Sequence, residues 1–124
     1  MISQLVRAGL LAAVCVASLP DPAPARTPYD GSWTVLIVTQ RGTCDRAYRY
    51  GVRIVDGNVQ YAGDASVNLS GRVAGNGSVA VTLRSGGQRA DGVGRLSKNS
   101  GGGTWRGQGS SGSCAGTWEA ERRG

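Results

Sequence analysis

The sequence predicts an all-β fold: about eight short antiparallel strands in an up-and-down meander, closed into a small barrel and stapled by one disulfide. Three observations carry that expectation. Apolar and polar residues alternate with period two from Gly31 onward, and no segment shows a helical stripe. Turn signals rich in Gly, Asn and Asp recur about every 8–12 residues, the spacing of sandwiches and barrels. Cys44 and Cys114 lie near the two ends of this strand run.

The chain before the strands reads as an export signal over residues 1–25. Arg7 is its positive n-region, Ala8 to Leu19 is apolar apart from Gly9 and Ser18, and Pro20 to Ala25 ends in an Ala-x-Ala-like site. The apolar stretch is about a dozen residues, short of the about 20 that a spanning helix needs, so no membrane span is expected. Cleavage after Ala25 leaves about 99 residues: a short lead at 26–30 and one barrel domain at 31–123. Acylation of Cys15 is the competing use of this segment, but Ala12-Ala13-Val14 lacks the usual lipoprotein context.

Cys15 leaves with the signal, which turns three cysteines into two. An even count in an exported chain fits one disulfide, Cys44–Cys114, in an oxidising compartment, periplasmic or extracellular. A loop of that length is worth about 4 kcal/mol in the chain-entropy model. A metal site would need further ligands, and the chain contains no His.

Each strand has its own signature. The first, Trp33 to Gln40, carries Val35-Leu36-Ile37-Val38, apolar on both faces. The second, Tyr48 to Val55, alternates Tyr50, Val52 and Ile54 against Arg49 and Arg53. Asp56-Gly57 is a type I′ hairpin signal and leads into the third strand, Asn58 to Gly63. The fourth, Ser66 to Val73, sets Val67, Leu69, Gly71 and Val73 on one face. Ala74 to Gly77 turns the chain into the fifth, Ser78 to Arg84, with Val79, Val81 and Leu83 inward. After Ser85-Gly86-Gly87 the sixth runs from Gln88 to Leu96, and a loop at Ser97 to Gly102 precedes the seventh, Gly103 to Gly109. The eighth spans Ser113 to Arg122.

Short connections make each strand the partner of the next. The first and last strands are then exposed edges, or they pair with each other. Pairing places the end of the first beside the start of the eighth, where Cys44 and Cys114 sit. A disulfide needs Cα atoms roughly 4.4–6.8 Å apart, and closure supplies that proximity. The glycines of the second half then give curvature and room for Trp105 and Trp118, with a ligand cleft as the alternative.

Gly-x-Trp occurs at Gly31-Ser32-Trp33, Gly103-Thr104-Trp105 and Gly116-Thr117-Trp118. The first resembles the lipocalin (calycin) signature, in which Gly-x-Trp opens strand one. That resemblance implies a barrel whose Trp33 seals the floor against a basic residue near the chain end, Arg122 or Arg123. The opening, with a Cys shortly after strand one, is also similar to small secreted bacterial metalloprotease inhibitors, which are disulfide-bonded eight-stranded barrels. Both resemblances imply architecture, and neither carries over binding residues.

Enzymatic function is not expected. Without His there is no Ser-His or Cys-His dyad, and both cysteines are committed to the disulfide. The aspartates sit mostly beside turns, where backbone chemistry accounts for them. No glycine run has phosphate-loop spacing, and no cofactor is implied. The net charge of +6 favours solubility and anionic partners. Basic runs typical of nucleic-acid binding are absent, so no specific nucleic acid is expected.

Candidate binding residues come from the segment Thr43 to Tyr50. Arg46 and Arg49 with Tyr48 form a potential platform for an anion or glycan, through bidentate contacts and stacking. The first expectation is therefore an exported, monomeric binding or inhibitor module that meets an unknown protein through this rim loop. The alternative is a structural envelope protein: Arg49, Arg53, Arg72, Arg84, Arg95 and Arg106 would form an outer basic belt for anionic polysaccharide or lipid, unless they serve solubility alone. A carrier of a small apolar ligand comes third, and haem would have to be held by Tyr.

Overall fold

A computed structural model describes residues 26–63 and 66–124. The expected signal at 1–25 lies outside the described residues. Eight strands follow in order: β1 (Gly31–Arg41), β2 (Ala47–Val55), β3 (Asn58–Tyr61), β4 (Asn68–Val73), β5 (Ser78–Ser85), β6 (Gln88–Leu96), β7 (Ser100–Gly109) and β8 (Gly112–Arg122). Each pairs antiparallel with the next, and β1 pairs with β8, so the meander closes into a barrel. Among the described residues no helix is long and apolar enough to cross a membrane.

Local chemistry explains most of the boundaries. Asp56 and Gly57 adopt positive φ, 52° and 81°, as the type I′ turn demands. Two differences from the sequence reading concern glycine and the β3–β4 seam. Ser100, Gly101 and Gly102 belong to β7 rather than to a loop, because β8 supplies partners for all three and β6 for the two glycines. The connection shrinks to Ser97–Asn99, closed by the Ser97 N–H donating to the Ser100 carbonyl at 2.7 Å. At the other seam β3 stops at Tyr61 and β4 starts at Asn68, so Ser66 and Val67 precede the strand. Among the described residues only Asn58 and Arg72 are paired there, which leaves that part of the wall loosely laced.

The floor half of the barrel is packed. Trp33, Ile54, Val59, Val73, Val79 and Leu96 are buried there, and Trp33 is only 2% exposed. The residual space among the core side chains is about 50 Å³. Arg122 places its guanidinium 4.8 Å from the Trp33 ring centre, a cation–π contact. It also donates to the carbonyls of Lys98, Asp30 and Pro28 at 2.9, 2.8 and 2.6 Å. Of the two arginines that could meet Trp33, period-two alternation selects Arg122, which continues the inward series Trp118 and Ala120.

The lead at 26–30 belongs to this floor. The Trp33 indole N–H donates to the Tyr29 carbonyl at 2.9 Å. The Asp30 carboxylate accepts from the Asp56 and Gly57 amides at 2.7 and 3.1 Å and from the Thr27 hydroxyl at 2.7 Å. Partial burial pushes the Asp30 carboxyl up, but the Thr27, Asp56 and Gly57 hydrogen bonds outweigh it and leave the group below its ordinary range.

Tryptophan and glycine are complementary across the β6–β7–β8 wall. Trp118 lies across Gly103 and Gly94 and donates its indole N–H to the Val93 carbonyl on β6 at 3.1 Å. A Cβ on Gly94 would collide with the Gly102 carbonyl and stand 2.6 Å from the Trp118 ring. Trp105 makes the mirror arrangement: it crosses Gly116 on β8 and donates to the Val38 carbonyl on β1 at 3.1 Å. The glycines therefore make room for the two indoles and for close backbone approach.

Two outcomes test this packing. Gly94→Ala forces backbone and ring apart and should cost about 1–3 kcal/mol in denaturant unfolding. Gly75→Ala, whose new methyl meets nothing within 4 Å, should change stability by less than about 0.5 kcal/mol. Equal effects would show that the close approach at Gly94 is not what confines that position.

Asp30 gives a pH test. Its lowered pKa means that its stabilisation is complete above the unfolded carboxylate value and is lost as pH falls through the folded one. Asp30→Asn should lower the melting temperature at pH 7, and the gap to the parent should close below about pH 4. A gap that persists unchanged into acid would rule out the charge as its source.

Candidate functional site

The end of the barrel opposite Trp33 stays open because of what the strands carry there. Inward positions near this end hold Ile37 and Thr39 on β1, Tyr48 and Tyr50 on β2, and Trp105 on β7. On β6 and β7 the inward residues are Ala90 and Gly107, too small to fill the lumen. The result is a mouth of about 320 Å³ above the packed half. The interior is thus neither uniformly filled nor hollow: large side chains close one half, and small residues leave the other open.

The β1–β2 loop, Gly42–Arg46, is tied at this mouth. Cys44 and Cys114 are disulfide-bonded with Cα atoms 6.2 Å apart, which links the loop to the start of β8. Cys114 is buried, since it occupies an inward position. Thr39 holds the loop a second time: its N–H donates to the Arg46 carbonyl at 2.9 Å and its hydroxyl to the Asp45 carbonyl at 2.5 Å. A Thr43–Ser111 hydroxyl pair at 2.7 Å joins the loop to the β7–β8 turn. The register between β1 and β8 slips between Thr39 and Arg41, a bulge that marks where β1 leaves the ladder.

One wall of the mouth is a ladder of tyrosines. Tyr50 lies between Tyr48 and Tyr61, with ring centres 5.9 and 5.8 Å apart and planes tilted by 45° and 49°. Such tilted contacts suit the ring quadrupoles. Burial, reinforced by the neighbouring Tyr61 and Tyr48 phenols, pushes the Tyr50 hydroxyl up to about 12. It is a neutral phenol at any physiological pH, able to donate and to accept.

On the lip, Arg89 donates to Asp91 through Nε and Nη2 at 3.1 and 3.2 Å, and Thr82 donates to the same carboxylate at 2.8 Å. Arg89, then Thr82, holds Asp91 below the usual carboxylate range. Arg84 stands directly across the β5–β6 ladder from Arg89. Two like charges in register work against the sheet unless counter-charge is near. Asp91 neutralises one of the pair.

The three predicted binding residues are divided by strand geometry. Tyr48 lines the mouth and is 47% exposed. Arg49 follows it directly, pairs with Leu36, and so takes the outer face. Arg46 is exposed on the tethered loop. The six arginines expected as an outer belt are all exposed. Sequence reasoning missed Tyr61, Thr39 and Arg89 as mouth residues. Tyr50 and Trp105 pack against the core and also face the mouth. The inward parity of Tyr50 and Trp105 was visible, but nothing in a linear pattern tells a filled level of the barrel from an open one. Among the described residues no group of three or more His, Cys, Asp or Glu is placed to hold a metal ion.

No protein-family model, curated protein or solved structure matches the chain. What the structure shows is a closed eight-stranded antiparallel barrel with Trp33 under Arg122.

A spectroscopic titration checks the mouth. Tyrosinate absorbance should show one phenol titrating near 12, and Tyr50→Phe should remove that step. A raised pKa contributes stability that is full below the unfolded value, about 10, and is lost as pH rises through the folded one. The parent should therefore lose stability above pH 10 more steeply than Tyr50→Phe. Normal titration of every phenol would contradict the buried ladder.

Proposed function

We propose that this protein is an exported, non-enzymatic binding module, acting as a monomer, that meets its partner at the open mouth and the tethered β1–β2 loop. One observation carries the reading. The two ends of the barrel are built differently: Trp33 and Arg122 plug one, while the other presents a half-open aromatic cavity beside a loop fixed at three points. Fixing a loop in advance lowers the ordering cost of binding, which is what a recognition surface needs. Tyr, Trp and Arg, the residue types that dominate binding hot spots, are concentrated there. The disulfide supports an oxidising compartment, in line with the signal read at 1–25.

A second reading, adhesion of the basic outer face to anionic envelope polymer, draws support from the exposure of all six belt arginines. It predicts steeply salt-dependent binding that ignores the mouth.

The discriminating experiment is affinity capture from envelope and secreted extracts. The parent protein should retain a stoichiometric partner, and an Arg46→Ala/Tyr48→Ala double variant should lose it. Retention by the double variant would move the contact away from the mouth. Capture of nothing by the folded parent would sink the reading.

A further inference from the structure

The mouth is continuous with a second concavity. A shallow groove on the outer face of β6, β7 and β8 shares Arg89, Trp105, Gly107 and Gln108 with the mouth, so the two meet over the lip. Asp91, which faces Arg106 across the β6–β7 ladder and is already held by Arg89, lines this groove, as do Arg106 and Arg41. The latter two occupy the same rung of the sheet, with Ala115 of β8 between them. Strand spacing sets their Cα atoms about 10 Å apart, and the small Ala115 leaves a trough between two guanidinium groups. The site is thus an aromatic cup from which a basic track leads away.

We propose that mouth and groove form one site for an acidic oligosaccharide, with one pyranose ring seated in the mouth and the carboxylates of the following units on Arg106 and Arg41. The inference rests on the mouth being the binding end, as argued above, and names the partner's chemistry.

Four features favour a sugar over other occupants. At about 30 Å³ per water-sized group, 320 Å³ holds roughly ten non-hydrogen atoms, the content of one pyranose ring with its substituents. The tyrosine ladder and Trp105 offer ring faces and edges to the apolar C–H side of such a ring. The Trp105 N–H is already spent on the Val38 carbonyl, so its face rather than its donor is on offer. The Tyr50 hydroxyl is half-buried and stays protonated. An alkyl chain would bury that hydroxyl without a partner, whereas a sugar hydroxyl pairs with it. Guanidinium forks in the groove suit uronate carboxylates bidentately.

Direct titration tests the inference. The probes are the α-1,4-linked galacturonate hexamer, the neutral α-1,4-linked glucose hexamer, and a hexaglutamate peptide. Binding is read by calorimetry and by tryptophan fluorescence. The galacturonate hexamer should bind with a dissociation constant below about 1 mM at low salt, and the neutral hexamer about tenfold more weakly or worse. Arg106→Gln should weaken the acidic glycan and flatten its salt dependence, leaving the neutral one unchanged. Tyr50→Phe keeps the ring and removes the hydroxyl; it should weaken both glycans with no change in salt dependence. Should Tyr50→Phe fail to fold, Arg106→Gln, an exposed change, carries the test.

No response to the galacturonate hexamer up to about 1 mM overturns the proposal. So does hexaglutamate binding equally tightly with the same sensitivity to Tyr50→Phe, which would mean that charge alone is recognised. If these fail while capture still depends on Arg46 and Tyr48, only the ligand class falls. If capture fails as well, the mouth itself is the wrong place.

Discussion

Closure of β1 onto β8 is the constraint on which the rest of the structure depends. Eight residue pairs join these strands, and with them the barrel loses both edges of its sheet. A glycine-rich sheet of this length has little side-chain volume to hold an open form together, since strand glycines weaken pairing and bury nothing. Closure turns that poverty into a small lumen that two tryptophans and a modest set of Val, Ile and Leu can fill on one side. It also brings residues about 70 positions apart to one rung, which is what lets Cys44 bond Cys114.

From the same closure follows the difference between the two ends. β8 finishes where β1 begins, so Arg122 arrives over Trp33 and can gather the carbonyls of the lead and of the β6–β7 connection. At the opposite end β1 finishes where β8 begins, and there the bulge, the disulfide and Thr39 together bend the loop toward the mouth. One end is made rigid by a stacked cation that donates to three carbonyls. The other is held by a covalent link and stays open.

The indoles explain why glycine is dense in β6, β7 and β8. Trp105 and Trp118 each cross a neighbouring strand and donate to a carbonyl beyond it, in opposite directions. Neither contact could form over a side chain. The sequence shows the glycines and the tryptophans, and the expectation that one makes room for the other was correct in kind. Which glycine lies under which ring depends on the register of strands that the chain pattern does not give.

Much of the architecture was legible because period-two alternation and Asp56-Gly57 each follow from local backbone chemistry. Strand class, strand number and meander order stand on such local rules, and the Cys44–Cys114 bond follows once closure of β1 onto β8 is added. The candidate site was less legible. Tyr48 was named from its neighbours in sequence, yet Arg49 turns to the outer face, and Tyr61 and Arg89 reach the mouth from other strands. Alternation says which face a residue takes, and the sequence by itself determined that much. Which level of the barrel it occupies, and whether that level is filled or open, was decided only by the tertiary structure. The physical reason is that level depends on register and closure, both set by long-range pairing.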